Sequence, residues 1–171
     1  MDFKELAKLI FENLKPVLET HSGLRIYVRE RGKFEGWLKV ELCRVLSENG
    51  IDPEPESARW DVSFEKWGIE LRTVTTNVSH DNVKNIKRST TRNVEALIKD
   101  IWKLITPGRT ITFPNRAILF IVYPLDHEDP HWQTNHLRQI TSELADLEYL
   151  SFHFAGNVPG VLYFGLCAGS H

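Results

Sequence analysis

Two acidic residues and an arginine occupy neighbouring strand patterns in the first half of the chain. Asp61 lies in the run Arg59 to Phe64, and Glu70 and Arg72 lie in the run Ile69 to Thr76. The four residues between the two runs predict a hairpin loop that places all three side chains on one face, with Asp61 opposite Arg72. Two carboxylates whose backbones are about 7–8 Å apart can share a hard cation such as Mg²⁺ or Mn²⁺.

A third carboxylate comes from the amphipathic pattern of residues 34–48, which predicts a helix. At about 100° per residue, Glu41 falls between Trp37 and Val45, in the apolar sector of that helix. A glutamate in this sector points toward the sheet or borders the buried stripe, and its burial is costly unless a partner or a metal compensates. Glu41 therefore needs a partner or a metal if it is buried, although Arg44 and Glu48 lie near the same sector.

The order of these residues and elements resembles the PD-(D/E)XK nuclease superfamily. The motif stands as Glu41, Asp61 and Glu70-Leu71-Arg72, followed by a long helix and a buried strand, over about residues 34–123. The resemblance implies a metal-dependent endonuclease or exonuclease with Asp61, Glu70, Arg72 and Glu41 in its catalytic site. The three carboxylates would bind Mg²⁺ or Mn²⁺, which polarises phosphate and lowers the pKa of an attacking water.

The motif departs from the family at two positions, so other interpretations stay open. Trp60 replaces the proline, and Arg72 replaces the lysine. An arginine can stabilise charge on phosphate but cannot act as a base. The alternative is a catalytically inactive nuclease-fold protein that binds nucleic acid or assembles with a protein, with Arg72 fixing Asp61 and Glu70 by ion pairing. An ordinary salt bridge between Asp61 and Arg72 on a wet hairpin, worth less than about 1 kcal/mol, is also open.

Basic residues of the next predicted helix, which Ser79 would cap and Pro107-Gly108 would end, are candidate phosphate contacts. The weak candidates for nucleic-acid binding are Lys84, Lys87, Arg88 and Arg92. A solvated helix face explains the same pattern. The formal net charge of −2 provides no global attraction for nucleic acid, so any attraction must be local.

Other potentially reactive residues have weaker support. The segment Asp126 to His131, with His136, lacks zinc-ligand spacing, and we predict a loop that caps a third helix. Cys43 and Cys167 are predicted to be reduced thiols, and no positioned histidine supports Cys43 as a nucleophile.

The elements around the motif predict one domain, residues 1–171. The pattern indicates a helix from Asp2 to about Glu19 that Pro16 kinks or ends, and a long helix after the motif. A third helix spans about His131 to Asp146, and the predicted strands beyond the hairpin are Leu24–Val28, Arg116–Tyr123, Tyr149–Phe154 and Val161–Leu166. The predicted fold class is α/β: a three-layer restriction-endonuclease-like sandwich with a mixed central sheet flanked by helices.

Composition favours a cytoplasmic protein without a membrane segment. Hydrophobic residues make up 42% of the chain and charged residues 26%, and no apolar run approaches the roughly 20 residues that span a bilayer. The acidic N-terminus is unlike a secretory signal. The family resemblance adds nucleic acid as an expected partner and allows a homodimer or a larger complex.

Overall fold

The computed structural model describes residues 1–85, 89–106 and 113–169 and contains a mixed six-stranded sheet. The strands are β1 (Glu54–Pro55), β2 (Val62–Phe64), β3 (Trp67–Thr75), β4 (Asn115–Tyr123), β5 (Leu144–Phe154) and β6 (Val158–Cys167). Their spatial order is β1-β2-β3-β4-β6-β5. The pair β3–β4 is parallel, and the other neighbours are antiparallel.

Helices cover both faces of this sheet. They are α1 (Phe3–Thr20), α2 (Ser22–Arg29), α3 (Glu35–Glu48), α4 (Thr90–Ile105), α5 (Pro130–Trp132) and α6 (Arg138–Thr141), with a π-helical turn at Gln133–Leu137. One apolar cluster joins α1, α2 and α3 to Leu119 and Ile121, and the other joins α4, α5 and α6 to Phe120 and Val122. Burial of β4 on both faces explains its continuous apolar run. The predicted α/β class and mixed sheet are confirmed.

The predicted strand Leu24–Val28 is wrong, because these residues lie in helix α2. Leu24 and Val28, four residues apart, are buried, while Arg25, Ile26 and Tyr27 between them are exposed. Burial every fourth residue is the pattern of a helix that rests on a core. The alternation read from the sequence fits both periods, since positions i and i+4 share a face in either element.

The hairpin has a two-residue loop, so the predicted four-residue loop is also wrong. Phe64 pairs with Trp67, and Ser63 pairs with Gly68. Gly68 belongs to the strand because the Trp60 ring packs directly on it, and an added Cβ would lie 2.6 Å from that ring. The register moves by two residues, which keeps the paired residues on their predicted faces. Trp60 and Asp61 do not keep theirs, because both precede β2: Trp60 joins the cluster of α4, α5 and α6, and Asp61 contacts Lys39 of α3.

The predicted helix from Asp2 to about Glu19 is confirmed as α1, which continues through Pro16 to Thr20. The boundaries of two other helices differ from those expected. Helix α4 is capped by Ser89, whose side chain accepts a hydrogen bond from the Arg92 amide, rather than by Ser79. The third helical segment ends at Thr141, because the chain enters β5 at Leu144. None of the described helices combines the length and the apolarity that crossing a bilayer requires.

Candidate functional site

Asp61 lies immediately before β2, where the pairing of β2 with β3 ends. Its Oδ2 atom accepts a hydrogen bond from the Leu71 amide at 2.9 Å, in place of a further backbone partner. Its Oδ1 atom lies 2.9 Å from Nζ of Lys39 on α3. The Asp61 carboxylate therefore continues the hydrogen bonding to β3 beyond the end of β2, and it links the hairpin to α3.

Lys39 is a member of this site that the sequence interpretation missed. Its side chain is 20% exposed, and it also lies 3.0 Å from Oε1 of Glu56. The hydrogen bond with Asp61 raises the pKa of Lys39, although burial opposes the shift. The sequence contained one signal for Lys39: Glu35 and Lys39 are four residues apart, so both lie on the same side of α3 beside its buried stripe. Glu35 also contacts the sheet, where it accepts a hydrogen bond from the Thr73 amide at 3.2 Å.

Arg72 pairs with Asp100 of α4, so the predicted pairing of Arg72 with Asp61 is wrong. Both Nε and Nη2 of Arg72 contact Oδ2 of Asp100, and Nζ of Lys103 lies 2.9 Å from Oδ1. The Asp100 side chain is only 8% exposed. Arg72 thus neutralises a buried carboxylate on the face of the sheet that α4 covers.

Glu70 and Glu41 lie on opposite sides of the sheet. Ile69 and Leu71 pack in the cluster of α1, α2 and α3, so Glu70 between them is directed toward α4. Glu41 lies on α3, where its Oε2 atom is 2.8 Å from Nε of Arg44. Among residues 1–85, 89–106 and 113–169, no three acidic, histidine or cysteine side chains form a group that could hold a metal ion.

The predicted donor set therefore does not fit a divalent metal. Asp61 is already bound to a lysine and an amide, Glu41 is bound to an arginine, and Glu70 lies across the sheet from both. Metal sites for Mg²⁺ need carboxylate oxygens that converge on one point. The sequence placed Glu70 and Arg72 on one face, but the helix that supplies Glu41 covers the other.

The predicted nucleic-acid contacts are dispersed. Lys84 precedes α4 and forms an ion pair with Glu30, whose pKa the hydrogen bond from Lys84 lowers. Arg92 is exposed in the first turn of α4. Lys87 and Arg88 lie outside the described residues.

A basic groove of about 640 Å³, which the sequence interpretation missed, lies beside Lys84. It is bounded by α2, residues 81–84 and the turn between β5 and β6, and its lining includes Arg25, Arg29, Lys84, Asn82, Asp81 and Gly156. Arg25 lies against Gly156, where an added Cβ would be 3.2 Å from its Nε atom. The three-residue and four-residue spacing of Ser22, Arg25 and Arg29 was the available signal, hidden by the strand assignment.

Arg31 fixes the wall of the basic groove. The residue is almost completely buried and has a left-handed backbone, with φ of 54°. Its guanidinium donates to the carbonyl of Lys84 at 2.8 Å, to that of Val78 at 2.6 Å and to that of Thr76. The segment after β3 is therefore attached to the end of α2.

The loop Asp126 to His131 caps a helix, as predicted. Asp129 accepts a hydrogen bond from the Trp132 amide at 2.8 Å. His127 is buried, with Nδ1 2.8 Å from the Tyr163 hydroxyl, which accepts a hydrogen bond from Trp132 Nε1 at 2.9 Å. Burial lowers the pKa of His127 and raises that of Tyr163.

Cys43 does not have the surroundings of a nucleophile. Burial raises the pKa of its thiol, with Lys39 opposing, so the reactive thiolate is disfavoured. No disulfide joins Cys43 and Cys167.

Comparison of the chain with protein-family models, with curated proteins and with solved structures finds no match.

Proposed function

We propose that this chain is a catalytically inactive protein of restriction-endonuclease-like fold that binds nucleic acid. The succession of α3, the β2–β3 hairpin, α4 and the buried strand β4 supports that fold, because it follows the order of the motif elements. The observation that carries the proposal is that Asp61, Glu41 and Arg72 are all engaged by charged partners within the chain.

Metal-dependent cleavage has less support than binding without cleavage. A divalent ion at Asp61 would have to displace the ammonium of Lys39 and the amide of Leu71. It would gain no second carboxylate from Glu70, which is directed toward α4. Arg72 stands in the position of the motif lysine, and an arginine side chain cannot act as a base.

The basic groove supports an anionic partner. Arg25, Arg29 and Lys84 line it together with one carboxylate, Asp81. Arg25 has no hydrogen-bond or ion-pair partner within the described ranges, whereas Arg29 and Lys84 share Glu30. Side-chain amides such as that of Asn82 are frequent contacts to phosphate and sugar oxygens.

Loss of catalysis is tested by calorimetric titration of the wild-type protein and Asp61→Asn with Mn²⁺. We expect no binding heat for either protein, and no cleavage of labelled DNA or RNA in Mg²⁺ or Mn²⁺. Binding of Mn²⁺ that disappears in Asp61→Asn, or cleavage that requires metal, would overturn this part of the proposal.

Nucleic-acid binding is tested by fluorescence anisotropy with a labelled oligonucleotide. The double change Arg25→Ala/Arg29→Ala should weaken binding about tenfold or more, because two phosphate contacts are lost. A matched control, Lys4→Ala/Lys8→Ala, removes the same charge from exposed positions of α1. Equal affinities for the two double variants would show that only net charge matters and would contradict the assigned groove.

A further inference from the structure

Helix α2 separates the basic groove from a second pocket of about 370 Å³ whose walls are mainly aromatic. The pocket lies between the start of α2 and the start of α3. Its lining includes His21, Leu24, Tyr27, Phe34 and Trp37, with Lys33 at the rim. Its volume is within the range of about 300–1,000 Å³ that is usual for ligand pockets.

The rings of this aromatic pocket are held in place by contacts with one another, and that of Tyr27 is also accessible. Trp37 contacts the rings of His21 and Phe34 edge to face, with centroids 5.3 and 6.1 Å away. Tyr27 is 55% exposed, and its ring packs over Gly32, where an added Cβ would be 2.9 Å from Cδ1. An exposed but positioned aromatic ring is suited to stacking with a flat ligand.

The two pockets lie on the two flanks of one short helix. Ser22, Arg25 and Arg29 line the basic groove, whereas Leu24 and Tyr27 line the aromatic pocket. The helix between them is about 10 Å across. A single extended ligand that crosses α2 can therefore occupy both pockets. Such a ligand needs negative charge for the basic groove and a planar ring for the aromatic pocket.

We propose that α2 and its two pockets bind single-stranded nucleic acid, with phosphates in the basic groove and an unpaired base against Tyr27 and Trp37. This inference rests on the proposed function. The cationic lining favours a polyanion, and Lys33 adds a further positive charge beside the aromatic pocket. A base that is paired in a duplex cannot enter a stacking pocket, so the aromatic walls favour a single strand.

The test compares three labelled ligands of equal length: oligothymidylate, the same strand without bases, and a DNA duplex. Wild-type protein should bind oligothymidylate about tenfold more tightly than the strand without bases, since one stacked base contributes about 1–3 kcal/mol. Tyr27→Ser should lose this preference, and Tyr27→Phe should retain it because the ring persists. Circular dichroism and thermal midpoints establish that Tyr27→Ser remains folded.

The outcomes separate this inference from the proposed function. If none of the three ligands binds, nucleic-acid binding itself is wrong, and the aromatic pocket is open to another partner such as a protein side chain. If all three bind equally and Tyr27→Ser changes nothing, the protein binds phosphate backbones and base stacking is wrong. A preference for oligothymidylate that only Tyr27→Ser abolishes supports both.

Discussion

The guanidinium groups of Arg31 and Arg72 bind acceptors that are shielded from water. Arg31 donates to three backbone carbonyls, and Arg72 makes a two-pronged contact with the carboxylate of Asp100. The planar, permanently charged guanidinium suits both tasks, whereas a lysine ammonium cannot reproduce either geometry. The arginine at position 72, where the family resemblance leads one to expect a lysine, is therefore explained by its partner on α4.

Removal of Arg72 should destabilise the protein because, among the residues that the structure describes, it leaves buried Asp100 with Lys103 as its remaining ion-pair partner. The Arg72 side chain is 35% exposed. We therefore expect Arg72→Met to lower the free energy of unfolding by about 1–3 kcal/mol, less than for a fully buried pair. Arg72→Met/Asp100→Leu should recover most of the loss. Urea denaturation measures both, and Arg44→Met, which breaks a more exposed pair, is the control. An unchanged stability in Arg72→Met would refute the structural role.

Replacement of Arg31 by lysine should destabilise the protein although the positive charge is retained. One ammonium cannot reach the carbonyls of Thr76, Val78 and Lys84 together, and an unsatisfied buried acceptor costs about 1–3 kcal/mol. We expect Arg31→Lys to lower the free energy of unfolding by about 2–4 kcal/mol. The same change at exposed Arg138 should have little effect. Similar denaturation midpoints for the two variants would contradict the anchoring of the segment after β3.

At the scale of elements, the sequence predicted those segments whose period is unambiguous. The helix at residues 34–48 was recognised because its buried residues recur with the helical period. The strand from Arg116 to Tyr123 was recognised because its continuous apolar run is typical of a strand that is buried on both faces. Segment 24–28 was too short to distinguish strand from helix. The hairpin loop was misplaced because a glycine is typical of turns, and Gly68 was therefore assigned to the loop. The structure gives another reason for this glycine: the ring of Trp60 packs where a Cβ atom would lie.

The candidate site was harder to predict than the strands that carry it. Alternation correctly put Glu70 and Arg72 on the same face, but it wrongly added Asp61, whose carboxylate binds Lys39 of α3. No local pattern states which helix covers which face. Glu41 was assigned to the face of Glu70 because its position around the α3 axis can be predicted from the sequence, whereas the side of the sheet on which α3 packs cannot. Lys39 and Asp100, which engage Asp61 and Arg72, are separated from them by 22 and 28 residues in the chain.

Two buried histidines should make the stability of the protein depend on pH: His127, which contacts Tyr163 of β6, and His136 in the π-helical turn. Burial lowers the pKa of both His127 and His136 in the folded protein. The unfolded chain then binds more protons below its ordinary histidine pKa of about 6.5, so stability is complete above that pH and falls as the pH decreases. Each proton taken up on unfolding contributes a slope of up to about 1.4 kcal/mol per pH unit.

The measurement is urea denaturation at several pH values between neutrality and the acid range. His127→Gln/His136→Leu should show a shallower decline between about pH 6.5 and pH 5 than the wild type. His153, an exposed histidine of β5, provides the control as His153→Gln. If the double variant and the wild type decline in parallel, the two buried histidines do not cause the acid sensitivity.

At the scale of the whole molecule, the charges are distributed so that a nearly neutral chain presents a local positive surface. The net charge is −2, but the basic groove beside α2 contains Arg25, Arg29 and Lys84, opposed by Asp81 in its lining and by Glu30, which pairs with Arg29 and Lys84. Local rather than global charge must then control association with a polyanion.

Salt dependence tests this distribution directly. The logarithm of the nucleic-acid binding constant should fall linearly with the logarithm of salt concentration, since displaced counterions accompany each phosphate contact. Arg25→Ala should reduce the magnitude of this slope by about one. Lys8→Ala changes the net charge equally but lies on α1, so its slope should match that of the wild type. Equal slopes for all three proteins would exclude a phosphate contact at Arg25.

The central position of β4 has a consequence for incomplete chains. β4 lies between β3, which precedes it in the chain, and β6, which follows it. A nascent or truncated polypeptide that stops before Val158 therefore has an apolar strand with one row of unpaired amides and carbonyls. Such an open edge is a template for pairing with another molecule. We expect fragments of this kind to self-associate and precipitate, so that solubility depends on completing the last strand.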